Sequence, residues 1–422
     1  MKLGIQMTEN GFLFVTENSG FNRVSHQLIH GLALLLVVIT AACSGADDDI
    51  RVPEHILEME NLTVYSADTA PAKRISFMKD AVYGDSGEVV IGRMGEVAVD
   101  SLKRVYIADV GQTVIYAFES DGRLAGQFGG SGRGPGEFSW WIRNVQIHDH
   151  TLYALDANQH RVHIFSLDSL KIKKTVRLAE NRGNYKELAR AFPLIDNLFV
   201  RGDGAYIAEF IMNATTERIQ RFGNREMRVN HYLLDKNGRI TKKLLSYIRE
   251  IRSSNGISTQ HREPFFGKVF HGFSNDDSIH LAEPDDFLVK KYSPDGDYQG
   301  AFFYPLNKIP LTKEKAVEAN VSDRNLELMD LLLDLPENWP VLTDMKIDGQ
   351  DRIWIATTVE DMSIYEWWVL EESGELITKF EWLRDEPIEV IKNGYVYTRQ
   401  TDEDTGLQQV VRYRIEIGDT DD

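Results

Sequence analysis

The sequence predicts an all-β protein, a six-bladed β-propeller of four-stranded antiparallel blades, on three observations. A unit of four short strands recurs along the chain, its last copy is one strand short, and an isolated strand-like segment stands ahead of the first copy. A recurring supersecondary unit dictates architecture, because one copy cannot bury its own apolar faces.

Taken in order, residues 1–42 read as a signal peptide. The only long apolar run is Leu28 to Ala42, followed by Cys43 and then by an acidic stretch, Asp47 to Asp49. It is shorter than the roughly 20 residues a spanning helix needs, and it suits the apolar centre of a secretion signal. Ala41 and Ala42 before Cys43 resemble the lipobox of bacterial lipoproteins, although Thr40 stands where that pattern prefers Leu, Val or Ile. The resemblance implies a lipid anchor on Cys43, an address in the cell envelope, and residues 43–60 as a tether. Cys43 is the only cysteine, so intramolecular disulfides and thiolate metal sites are excluded.

The clearest copy of the repeat runs from Val97 to Gly129 and divides into four pieces of alternating polarity, with Asp121-Gly122 at a tight turn. Period-two alternation and Asp-Gly mark an antiparallel meander. Further copies begin near Val145, Asp203, Phe273 and Met345, and Tyr153 and Asp156 of the second match Tyr106 and Asp109 of the first. The sixth copy, Val390 to Ile417, supplies three strands. Ala72 to Met78 is the candidate for its missing outer strand, which would join the two ends of the ring and protect the edges. The expected propeller spans 61–418, with five or seven blades as the alternative counts and 419–422 as an acidic tail. Two stretches interrupt the repeat: a helical one between blades four and five, 312–335, stopped by Pro336, and a basic one, 247–268, carrying Arg249, Arg252, His261, Arg262 and Lys268.

Around FGGSGRGPGEF, Phe128 to Phe138, following YIAD and FESDG, the chain resembles the NHL-type, TolB-like six-bladed propeller lipoproteins of bacteria. The likeness is specific over about Glu54 to Leu178 and extends further only as a pattern. It implies a fold and an envelope location. A phosphate-cradling role for the glycines would need a helix to follow them, whereas Pro135 and the strand-like WIRNVQI follow instead.

The net charge of −18, from 47 basic and 65 acidic side chains, repels nucleic acid and anionic lipid, so the expected membrane contact is the lipid on Cys43 alone. In a propeller, residues just after the second strand of each blade gather around the channel. Here they are Asp109, Asp156, Glu209, Glu283, Thr357 and Arg399. The carboxylates among them suit Ca2+ or acid–base work if they converge; the competing reading makes them caps of their own turns. Trp140 and Trp141 are candidates for stacking on a sugar or peptide. His148, His150, His160 and His163 match no zinc spacing, and no Gly-x-Ser-x-Gly elbow occurs. The expected function is a monomeric binding or scaffold module for an envelope protein, peptide or glycan. The alternative is a cation-dependent propeller enzyme, a lactonase or other hydrolase or a lyase, with a carboxylate-lined funnel.

Overall fold

The computed structural model describes residues 2–7, 13–18, 52–84, 89–190, 194–212, 226–251, 265, 267–331, 335–403 and 405–419. Cys43 and the apolar run before it lie outside these residues, as do Arg252, His261 and Arg262.

Six antiparallel sheets follow one another around a ring. Blade one comprises Met94–Val99, Val105–Asp109, Val114–Phe118 and Leu124–Gly129. Blade two comprises Ile142–His148, Thr151–Asp156, Arg161–Ser166 and Ile172–Arg177. Blade three comprises Leu194–Val200, Tyr206–Met212, Glu226–Leu234 and Ile240–Ile251. Blade four comprises Phe270–Phe273, Ile279–Glu283, Phe287–Tyr292 and Tyr298–Tyr304, and blade five Leu342–Ile347, Ile353–Thr358, Ile364–Leu370 and Leu376–Leu383. In blade six, Ile388–Lys392, Tyr395–Thr401 and Gln408–Asp419 are joined by Lys73–Tyr83, which pairs with the last strand from Val410↔Tyr83 to Asp419↔Lys73.

The core lies between neighbouring blades, because both faces of each sheet are buried. Tyr106, Phe128, Phe138 and Phe165 pack blade one on blade two, while Tyr304, Trp368, Ile353 and Phe287 pack blade four on blade five. The turn between first and second strands has a recurrent clasp. Asp100 accepts bonds from the Leu102 and Arg104 amides, Arg104 Nε and Tyr106 OH, and Asp348 does the same for Gln350, Arg352 and the Trp354 indole. An aspartate at this position satisfies amides that the turn would otherwise leave unpaired.

Blade four is widened. Leu62–Val64 adds parallel to Tyr298–Tyr304, and the hairpin of Lys2–Met7 and Leu13–Asn18, within the stretch read as a signal peptide and removed by cleavage before Cys43, extends the sheet to seven strands. From Val52 onward, the stretch read as a tether is docked rather than free: a short helix, Glu54–Leu57, buries Ile56 against Leu288, Ala301 and Phe303. Between blades four and five stand the helices Lys313–Glu318 and Asp323–Leu331, the first capped by Thr312, and Leu326 and Met329 pack on a cluster that includes Trp339 and Met362.

Candidate functional site

All six blades contribute to one cavity of about 630 Å3 at the axis of the ring. Its wall carries Arg93 and Glu96 from blade one, Arg143 from blade two, Asp196 and Arg249 from blade three, Lys268 beside blade four, Asp344 and Lys346 from blade five, and Glu389 and Arg399 from blade six. Six basic side chains against four acidic ones give this wall a sign opposite to the net −18 of the chain.

Ion pairs organise the wall. Asp196 accepts from Arg143 Nε and from Arg249 Nη1, each at 2.5 Å, Lys346 bonds Asp344 at 2.6 Å, and Arg399 bonds Glu389 at 2.9 Å. Arg399 also donates to the carbonyls of Met94 and Gly95, stitching blade six to blade one. Glu96 opens to the channel but is enclosed by protein, and that burial together with the neighbouring Glu389 charge raises its carboxyl. Lys346 is raised in turn: burial opposes its charge, but Asp344, Glu389 and Glu96 outweigh it. The Trp141 ring lies between two guanidinium groups, Arg93 at 5.3 Å and Arg143 at 4.9 Å from its centroid.

Beneath the wall, between blades three and four, lies a buried cluster. Glu209 on the second strand of blade three faces His231 on the third, directly across the ladder, and Tyr247 and Arg249 stand on the fourth. His271, from the first strand of blade four, closes the group and reaches the channel. Glu209 Oε2 lies 3.2 Å from His231 Nε2 and 3.3 Å from His271 Nδ1, while Arg249 holds its other oxygen at 2.5 Å. Burial opposes the Glu209 carboxylate, but His271, His231 and Arg249 prevail and hold it well below the usual range. Burial pushes the His271 imidazole down to about 4, and it lifts the Tyr247 phenol well above 10, helped by the Glu209 charge. The site therefore combines an ionised carboxylate with neutral imidazole beside a solvent-filled channel, an arrangement suited to holding a cation or relaying a proton.

The six positions after the second strands do not act as one set. Asp109 is fully buried and accepts from the amides of Gly92 at 2.7 Å, Gly111 at 2.8 Å and Gln112 at 3.0 Å. Asp156, equally buried, accepts from Ser139 and pairs with Arg161. Asp109 clasps its own turn, whereas Asp156 ties the preceding loop to Arg161 and makes no side-chain bond to the turn it opens. Glu283 pairs with Lys290 beside a second cavity of about 460 Å3, and Thr357 donates to the carbonyl of Glu366. Among the described residues, the group of three or more metal-ligand types drawn together is Glu209, His231 and His271. Of the carboxylates after the second strands, Glu209 alone stands in such a group, with two imidazoles.

Trp141 lines the channel, whereas Trp140 is 75% exposed. His163 is a structural residue: its ring lies 2.8 Å from both the Glu137 carbonyl and Thr175 Oγ1, and it receives the Gly136 amide. Together with Arg161, which bonds the Arg133 and Glu137 carbonyls, it pins the glycine-rich loop. Gly129 in that loop has φ +97°, and a Cβ there would meet the Phe138 ring at 2.9 Å. Sequence reading missed His231, His271 and Tyr247. The available signal was the strand register, since Glu209 and His231 are cross-strand partners.

Residues 86–263 match a family model described as a 6-bladed beta-propeller, DUF5128. No curated protein matches. Among solved structures, the chain is similar to a member of the duf4221 family from Bacteroides vulgatus, with 8% identity, 83% of this chain and 100% of that one covered, and a TM-score of 0.52. It is also similar to the PQQ-bound aldose sugar dehydrogenase of Streptomyces coelicolor (9% identity, 82% and 100% covered, TM-score 0.42). A third is the calcium-binding protein regucalcin of Agrobacterium tumefaciens (10% identity, 83% and 96% covered, TM-score 0.41). At 8% identity the first of these likenesses speaks for the fold alone. The protein is a six-bladed β-propeller.

Proposed function

We propose that this propeller is a lipid-anchored envelope binding module whose channel mouth grips an anionic group of a peptide, protein or glycan. The observation that supports this reading is the reversal of charge: six basic side chains converge on one cavity in a chain of net −18. An excess of basic over acidic groups, six against four, in a cleft with low-dielectric walls focuses the field and raises the local concentration of anionic ligand. Arginine forks suit carboxylate, sulfate or phosphate, and the Trp141 ring offers a face for a sugar or peptide plane.

The test is calorimetric titration of the protein with an acidic peptide and a uronate-containing oligosaccharide, each beside its neutral counterpart. Arg93→Ala is expected to weaken binding of the charged ligand about tenfold, in line with one charge-assisted hydrogen bond, and the effect should shrink with salt. Equal affinity for neutral and charged ligands, or no effect of Arg93→Ala, would overturn the reading.

A further inference from the structure

We propose that Glu209, His231 and His271, with Tyr247, form a tetrahedral site for a divalent transition metal of the zinc class beneath the channel. The argument is geometric. Four donor atoms face a common centre: Glu209 Oε2, His231 Nε2, His271 Nδ1 and Tyr247 OH. Five of their six separations lie between 3.2 and 3.5 Å: carboxylate to the two imidazoles 3.2 and 3.3 Å, phenol to the same two 3.2 and 3.5 Å, and phenol to carboxylate 3.5 Å. The sixth, between the imidazoles, is below 4.8 Å. With the sixth edge drawn to the length of the other five, the corners stand about 2.0–2.1 Å from the centre, which is the Zn–N and Zn–O bond range.

The surroundings fit a metal centre. Arg249 occupies Oε1 of Glu209 at 2.5 Å and leaves Oε2 for the ion. Asn197 Nδ2 lies 3.3 Å from the far nitrogen of His271; a ring bound to metal through Nδ1 carries its proton on that far nitrogen and donates it, so metal binding turns the Asn197 amide to present Oδ1 there. His231 is 1% exposed, and its Nδ1 has no hydrogen-bond partner among the described residues, so only Nε2 of this buried ring is engaged, and it faces the cluster. Two imidazoles and one carboxylate exclude Ca2+ and Mg2+, which take oxygen ligands, and favour a borderline-soft ion. Three protein ligands plus a phenol that can yield its place to water or ligand is the pattern of a site with one exchangeable position. His271 lines the channel, and Tyr247, which holds that position, lines the second cavity of about 460 Å3.

This inference stands apart from the anion reading and fails separately. The purified full chain is stripped with a chelator and titrated with Zn2+ or Co2+, and bound metal is measured by mass spectrometry. The expected result is about one equivalent per chain, with tetrahedral Co2+ absorption bands and no uptake of Ca2+. His271→Ala and His231→Ala should abolish binding, with folding checked by circular dichroism. Asn197→Ala is expected to weaken it 10- to 100-fold as an orienting partner. Tyr247→Phe should keep the stoichiometry and shift the Co2+ spectrum. Absence of bound metal in the wild type at micromolar free Zn2+, or binding that survives both histidine variants, overturns the site. Anion binding by the stripped protein is scored in parallel and is expected to persist.

Discussion

Arg249 and Glu209 meet through a single guanidinium nitrogen, Nη1 to Oε1 at 2.5 Å, and the same nitrogen reaches Asp196 at 2.5 Å. One side chain on the outer strand of blade three thus ties the channel wall to the buried cluster. Replacing it leaves Glu209, whose side chain is 3% exposed, as a buried charge without its cation. Arg249→Met should cost about 3–5 kcal/mol, the range for breaking one half of a buried pair. Urea denaturation measures this, and adding Glu209→Gln to Arg249→Met should recover part of the loss.

Acid should weaken the fold through His163. This imidazole is fully buried, and burial, with Arg161 nearby, lowers its pKa to about 4 from an ordinary 6.5. Between those values the unfolded chain binds a proton that the folded one does not. Stability therefore rises with pH through this window and is lost as pH falls from 6.5 to about 4. The contribution is about 2–4 kcal/mol, and His163→Gln should flatten that part of the stability–pH curve whatever its effect at neutral pH.

Trp141 is a built-in reporter of the channel. Its ring lies between Arg93 and Arg143, so an anion that draws the guanidinium groups away should change its fluorescence. Trp141→Phe should remove the ligand-dependent change, while the signal of the buried Trp354 and Trp368 stays.

The ring depends on its closing strand. Tyr83 is fully buried, bonds the Ser120 carbonyl and packs on Tyr397 and Phe118. Tyr83→Ala should cost about 3–5 kcal/mol as a buried aromatic truncation. A chain beginning at Gly84 would expose the edge of Gln408–Asp419, and hydrogen exchange should show that strand losing protection first.

Asp109 separates structural from functional carboxylates. Asp109→Ala strips the acceptor from four backbone amides, those of Gly92, Arg93, Gly111 and Gln112, and should lower stability by about 2–4 kcal/mol, while metal uptake of the folded protein stays unchanged.

The repeat and the four-strand plan were legible because period-two alternation and turn residues are local signals. The clasp residues Asp100 and Asp348 sit at matching places in copies one and five, and Trp354 and Trp368 are buried between blades. Asp109 and Asp156 were ambiguous on paper, because a carboxylate after a second strand serves equally as a turn cap or as a channel ligand. The choice is made by amides that approach from the preceding loop, such as Gly92, 17 residues earlier.

By itself the sequence determined the four-strand repeat, the kind of strand most segments form and the excess of acidic charge, all of which depend on nearest neighbours or on counting, while five, six or seven blades stayed open until the ring was seen closed. Only the tertiary structure decided where charge and chemistry gather. Glu209, His231, Tyr247 and His271 come from three strands of one blade and the first strand of the next. Their meeting depends on strand register and on the packing of two sheets, which a pattern of alternating polarity leaves open. The basic wall arises the same way: side chains scattered from Arg93 to Arg399 share a cavity because closure of the ring brings every blade to a common axis.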